Sequence, residues 1–426
     1  MIVLVRSRQV QREENLKIVD RLRALRETQI GAFIPVLLAL IAIWGYFGLV
    51  IPLQDLLTGE TENFRAIFLS PRNIYNLFMQ SAVIATLAVG ITIVLLLGEI
   101  DLSAAATAGV CAALLGVLVL TGIPSILACL IVILVGIAMG LVQGLLVAYV
   151  GIPSFVVTLA GLLGYQGLMQ KILPTGNLNV GDPFIRGIAR TLIPDLWGIL
   201  IAVTVFGLFA FFSFRKQYQR KTRNLEVDSI WLIWVQILVF GFIVISVVLT
   251  LNAYRSLPLL LVLLLGSTML LDWVTRSTPY GRSLFAVGGN AESARRVGIK
   301  VNQIRVSAFA IVGLMAAIGG IFGASRYGSV SYTAFAGGSL LLEAIGAAVI
   351  GGTSLFGGRG SVWNAILGAL VIGSLGNGLD LSGASAADKL MVSGAILILA
   401  VAIDALSRSS SERTGYADAS RNGYPQ

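Results

Sequence analysis

An all-α polytopic membrane protein, with about twelve transmembrane helices and both termini cytoplasmic, is the fold class this sequence predicts. Three observations predict it. The 426 residues are 57% hydrophobic and 12% charged, about half the charged share of a soluble domain. Mean hydropathy is +0.89. The apolar residues fall in runs of about 20, the length a helix rising 1.5 Å per residue needs to cross a hydrocarbon core of about 30 Å.

Composition also excludes function classes. The net charge of +9 does not mark a nucleic-acid binder, because the basic residues sit in short loops between spans rather than in a phosphate-binding stripe. There is no histidine, which removes the commonest general base and metal ligand. No nucleophile–base constellation stands out, so no catalytic residue, metal or cofactor is assigned and an enzyme is disfavoured. Cys111 and Cys129 lie inside apolar runs and read as packing residues. The first apolar run is too long for the core of a cleavable signal.

Taken in order, residues 1–31 are a basic tail with Arg6, Arg8, Arg12, Lys17, Arg21, Arg23 and Arg26. Leu16, Val19 and Leu22 recur at helical spacing, which suits a segment lying along the membrane surface. The transmembrane domain is 32–406. Its first span, 32–53, is followed by a polar loop with Asp55, Glu60, Glu62 and the pair Ser70 and Pro71. Spans follow at 75–97, 102–120, 125–149, 153–173, 195–214, 230–251, 258–274, 306–326, 340–356, 361–381 and 387–406; ten spans plus re-entrant segments would satisfy the same pattern. The tail 407–426, rich in serine, predicts disorder. Twelve spans put 22 of the 30 Lys and Arg on the side of the N-terminus, which makes that side cytoplasmic. Spans two to five start outside and the last four start inside, the arrangement of an inverted repeat. GxxxG spacing at Gly136 and Gly140 is a tight-packing signal.

Between the spans, 275–305 is a cytoplasmic loop carrying Arg276, Arg282, Arg295, Arg296, Lys300 and Arg305 against Glu292. It contains a short helix signal. Asn290 is an N-cap, Glu292 sits in the first turn where the helix dipole favours an anion, and Gly298 ends it. Ala291, Ala294 and Val297 are expected to share one face, suited to a groove on a cytoplasmic partner; an acid at Ala294 should then abolish partner binding while the chain still inserts. Alternatively the loop only fixes orientation.

Two breaks interrupt the apolar runs. The first is Gly98–Ser103, with sequence GEIDLS. Carboxylates at membrane depth cost about 2.5–3.5 kcal/mol each, so this is either a broken helix lining a polar path or a tight inside turn whose Asp101 caps the next helix. The second, 350–361, is glycine-rich but lacks the lysine of a phosphate loop, and its glycines suit a sharp reversal instead. Asn76, Gln80, Gln143, Gln166, Gln170, Glu343, Asn364, Asn377 and Asp404 are polar residues within spans, most of them expected to bond between helices.

The stretches GEIDLS at 98–103, IPSFVVTLAG at 152–161, YGRSLFAVGGNAESARRVGI at 280–299, AVIGGTSLFGGRGSV at 348–362 and LGNGLDL at 375–381 resemble the sugar-permease family of ATP-binding cassette importers, the ribose, xylose and galactose type. An extra pair of spans around 195–251 makes the xylose permeases the nearest likeness. The resemblance implies a multi-pass permease subunit of the bacterial inner membrane, working with membrane lipid and a second copy of itself. It would take a monosaccharide, D-xylose, from a periplasmic sugar-binding protein, driven by a tandem-cassette ATPase subunit that binds the ATP. It puts Gly288, Gly289, Asn290, Ala291, Glu292, Ala294, Arg295 and Gly298 in an ATPase-coupling role, and Glu99, Asp101, Ser103 and Asn377 along the substrate path. Glu99 stands where many members have glycine, and Ala104, Ala105 and Ala106 replace a usual Val-Gly-Ser. Ribose, galactose or another small sugar are the alternative cargoes, and a transporter coupled to protons through Glu99, Asp101 or Glu343 the alternative mechanism.

Overall fold

A computed structural model describes residues 29–58, 66–173, 175–222, 230–336 and 338–396, with 398, 399 and 402. The surface helix expected in the N-terminal tail, the acids Glu60, Glu62 and Asp404, and the tail 407–426 lie outside the described residues.

The described residues are helical almost throughout. Helix α1 (Gln29–Gly45) runs through a π-helical turn (Tyr46–Val50) into Ile51–Leu57. Then come α2 (Pro71–Leu95), α3 (Ala104–Leu120), α4 (Ser125–Leu145, extended by the π turn Leu146–Val150) and α5 (Ser154–Ile172). A strand β1 (Asn177–Asn179), a short α6 (Pro183–Arg190) and β2 (Leu192–Ile193) precede the long hairpin α7 (Asp195–Thr222) and α8 (Ile230–Asn252). Strand β3 (Leu257–Pro258) leads into α9 (Leu259–Ser277), α10 (Pro279–Gly289), α11 (Ala291–Arg296) and α12 (Val301–Tyr327). Strand β4 (Ser329–Ser331), α13 (Tyr332–Ala336), α14 (Ser339–Ile350) and α15 (Val362–Leu381) follow, and 386–396 is helical again.

Local chemistry sets the starts. Ser70 Oγ accepts from Asn73 N–H with Pro71 as the first helical residue of α2, and Asp182 does the same for α6 with Pro183; a proline loses nothing there because that N–H has no partner inside the helix. Among the described residues nine helices are long and apolar enough to cross a membrane, while Ala104–Leu120 is apolar but shorter. Each of the first eleven predicted spans coincides with a helix, and the twelfth is described only in part.

Two helices occupy the centre: 89% of the spanning window of α2 and 67% of that of α12 are buried, against 11% for α7. The packing is exchanged. Helix α2 lies against α15 and α14, while α12 lies against α4 and α3. The first helix of each four-span unit thus packs on the second and third helices of the other, the arrangement an inverted repeat produces. The seams are close because small residues line them. A Cβ on Gly140 would lie 2.2 Å from the Phe309 carbonyl oxygen, and one on Gly313 would lie 2.0 Å from that of Gly136. The GxxxG signal therefore marks the α4–α12 contact. Helices α7 and α8 pack on each other, with Phe209 and Phe240 stacked at 4.2 Å, and touch the centre mainly where Tyr254 meets Tyr75.

The bundle has two distinct ends. At one, β1 pairs antiparallel with β4 and β2 with β3, tying α6 across the ends of α9 and α12. At the other, the turns 96–103, 151–154, 278–300 and 351–361 meet.

Candidate functional site

The loop after α9 is built by two caps. Thr278 Oγ1 accepts from Gly281 N–H with Pro279 at the first position of α10. Asn290, extended at φ −161°, accepts from Ser293 N–H at 2.8 Å and starts α11. Glu292 pairs with Arg295 at 3.3 Å and Arg296 at 3.6 Å. Gly298 ends the turn at φ +87°, its N–H donating to Arg295 O at 3.0 Å while Ile299 N–H reaches Ala294 O at 3.1 Å. Asn290, Glu292 and Gly298 thus do what the sequence predicts of them.

The predicted docking face is corrected. Ala291, Ala294 and Val297 do not present one surface: Ala294 is 4% exposed and belongs to the chain's own core, whereas Val297 is 78% exposed. The reason is that Val297 has left the helix, at φ −90° and ψ 14°, while Ala294 packs back toward α10 and α12. The outward surface is Val297 with Glu292, Arg295 and Arg296.

This segment is locked onto both sequence breaks. A Cβ at Gly288 would lie 1.8 Å from Leu96 O and 2.8 Å from Gly358 N, and Gly358 N–H donates to Leu96 O at 2.9 Å across that spot. A Cβ on Gly357 would meet Gly288 O at 2.7 Å and Gly98 N at 2.8 Å. Gly98, Gly357 and Gly358 all have positive φ, which glycine alone adopts without strain. Three segments far apart in sequence therefore touch backbone to backbone. A charge pair adds to this: Arg305 Nε lies 3.1 Å from Glu99 Oε1, with side chains 28% and 14% exposed. On the other flank Arg276 bonds Asp272 and, at 2.6 Å, Ser361 Oγ.

Beyond Glu99 the chain turns inward. Asp101, 3% exposed, accepts from both Ser103 N–H and Ser103 Oγ at 2.7 Å, while Ser103 itself holds the N-cap position of α3. Gln143 Nε2 on α4 donates to Ser103 Oγ at 2.7 Å, and Tyr165 on α5 lies beside its side chain. Ser154 Oγ accepts from Ile100 N–H, and Thr158 donates to Ile100 O, both at 3.2 Å. A polar track, Asp101–Ser103–Gln143–Tyr165, thus enters the bundle from the junction. Sequence pointed to Gln143 only as one polar span residue among many, and Tyr165 gave no signal. Asn377 is not part of this cluster. It exchanges amide hydrogen bonds with Asn73 at 2.7 and 3.1 Å, near the far end of α2, about 33 Å from Leu95 by the helical rise.

Because Glu99 and Arg305 are both mostly shielded, removing one leaves the other uncompensated, whereas removing both does not. Glu99→Gln and Arg305→Gln are each expected to lower the thermal stability of the purified chain more than the double variant does, with a coupling of about 1 kcal/mol or more. Strictly additive losses in a thermal-melt cycle would show that the pair holds nothing together.

A model of the family described as branched-chain amino acid transport system / permease component matches residues 73–401. The xylose transport system permease protein XylH of Escherichia coli (strain K12) is 36% identical over 349 residues, 81% of this chain and 87% of that protein. The ribose import permease protein RbsC of Bacillus subtilis (strain 168) is 31% identical over 337 residues, 79% and 86% of the two chains. The autoinducer 2 import system permease protein LsrC of Photorhabdus laumondii is 29% identical over 346 residues, 81% and 85%. No solved structure matches.

Proposed function

We propose that this chain, which belongs to the branched-chain amino acid transport system / permease component family, is the permease subunit of an ATP-driven importer whose cargo is D-xylose. Family members are transport components rather than enzymes, and the nine apolar helices found among the described residues make this one a multi-pass membrane protein. The xylose permeases among its relatives support this cargo.

The observation that carries the mechanism is the backbone junction. A force applied to α10 and α11 reaches α2 through Gly288 and Leu96, and reaches the α14–α15 hairpin through Gly358, without passing through any flexible side chain. A partner ATPase of tandem-cassette type, which binds the ATP, would grip Val297, Arg295 and Arg296 and rock the two exchanged units against each other. In this reading the junction end is cytoplasmic, as are both termini, and twelve spans cross the inner membrane. Two copies enclose the path, and a periplasmic binding protein delivers sugar at the β-ribbon end. Asp101 and Ser103, extended by Gln143 and Tyr165, line the inner part of the path; Asn377 belongs to its outer end.

The chain reconstituted in proteoliposomes with its ATPase and binding protein is expected to take up D-xylose only when ATP is supplied, with ribose and galactose competing weakly. Uptake by the chain alone under a proton gradient would overturn the importer reading. Uptake of ribose in preference to xylose would overturn only the cargo.

A further inference from the structure

Glu343 is a carboxylate on α14, in an apolar stretch of spanning length, and the polar track from Asp101 to Tyr165 does not use it. The other described acids in or beside spans include several that are paired. Glu99 has Arg305, Asp101 has Ser103, Asp195 has Ser256, Asp272 has Arg276 and Asp380 has Lys389. Among the described residues Glu343 has no hydrogen-bond or ion-pair partner. It does not lie in the packed seam either: its neighbours on α14, Leu341 and Ala344, are 5% and 0% exposed and turn to the core, while Glu343 is half-buried and Leu342 is 52% exposed.

A charged group at that depth is stable only against water or a polar partner. The surroundings supply a polar flank. Gln166 on α5 donates to Ala336 O at 3.0 Å, at the end of α13, the short helix that precedes α14. Gln166 is the next residue after Tyr165, the inner end of the polar track. A wetted surface running from Tyr165 past Gln166 to Glu343 accounts for all of these groups. We propose that Glu343 faces this aqueous path and that its carboxylate accepts hydrogen bonds from sugar hydroxyls in transit, making it a specificity-determining residue. This rests on the importer reading above.

Two measurements test it. In a chain with Cys111→Ala and Cys129→Ala, assembled with its ATPase and binding protein, Glu343→Cys is expected to react with a charged, water-soluble thiosulfonate, and D-xylose is expected to slow the reaction severalfold. In the same proteoliposomes Glu343→Ala is expected to lower kcat/KM for xylose uptake about tenfold, and Glu343→Gln, which keeps one acceptor, by less. A Glu343→Cys variant that stays unreactive in a folded complex overturns the proposal, as does wild-type uptake by Glu343→Ala. If the wild-type complex moves no xylose but the Glu343→Cys thiol still reacts, the cargo assignment fails while the wetted position stands.

Discussion

Gly288→Ala is expected to cost most of the ATP-dependent uptake, and Gly288→Val nearly all of it. The added carbon would sit 1.8 Å from Leu96 O and 2.9 Å from Leu96 C, with Gly358 N at 2.8 Å. All three are backbone atoms, so no rotamer change relieves the clash. Helix α10 must lift off the turn that follows α2, and the Gly358–Leu96 hydrogen bond must stretch or break. Overpacking of this kind costs about 1–3 kcal/mol, and about 1.4 kcal/mol is a factor of ten; a loss of roughly ten- to hundredfold follows if the junction transmits the stroke. The neighbouring residue is the control. Nothing lies within 4 Å of a Cβ on Gly289, so Gly289→Ala is expected to transport within about twofold of wild type, a normal result for a substitution that strains nothing. Equal uptake by the two alanine variants, measured in proteoliposomes at matched protein, would show that the close contact at 288 carries no force.

The two glycines look alike in the sequence, where both belong to one short motif. What separates them is tertiary: one faces the α2 turn and the other faces open space. The same division runs through the whole chain. Span positions are legible because hydrocarbon thickness sets helix length, and the caps at Asn290 and Gly298 are legible because each acts within a turn of itself. The GxxxG pair is legible as close packing, though not its partner, Gly313 on α12. Pairings across long stretches leave no trace in a single sequence. Glu99 meets Arg305 because α12 packs on α2, and Gln143 meets Ser103 because α4 packs on α3, which no local pattern encodes. Motif resemblance groups Asn377 with Asp101, and the length of α2 keeps them apart. Helical periodicity puts Ala294 on an outward face. A helix of six residues is too short for periodicity to decide which side packs, and α10 and α12 settle its burial instead.

That last correction changes which residue tests the partner. Val297→Asp is expected to abolish capture of the ATPase while the permease itself stays folded; Ala294→Asp is expected to lose the permease. Val297, 78% exposed at the tip of the segment, is flanked by the exposed Arg295 and Arg296. Burying a valine in a partner's groove is worth about 1.5–3 kcal/mol, and a carboxylate put there must be desolvated as well, so affinity should fall by well over about tenfold. In the free chain an exposed aspartate at the same place meets only water. Ala294 is 4% exposed, so a carboxylate there is buried inside the permease, where an unpaired charge costs several kcal/mol. Both variants would fail a co-purification assay. The melting temperature of the isolated chain separates them: unchanged for Val297→Asp and sharply lowered for Ala294→Asp. A Val297→Asp chain that still co-purifies with the ATPase at normal yield would move the docking surface away from this segment, because no other large apolar side chain on it is presented outward.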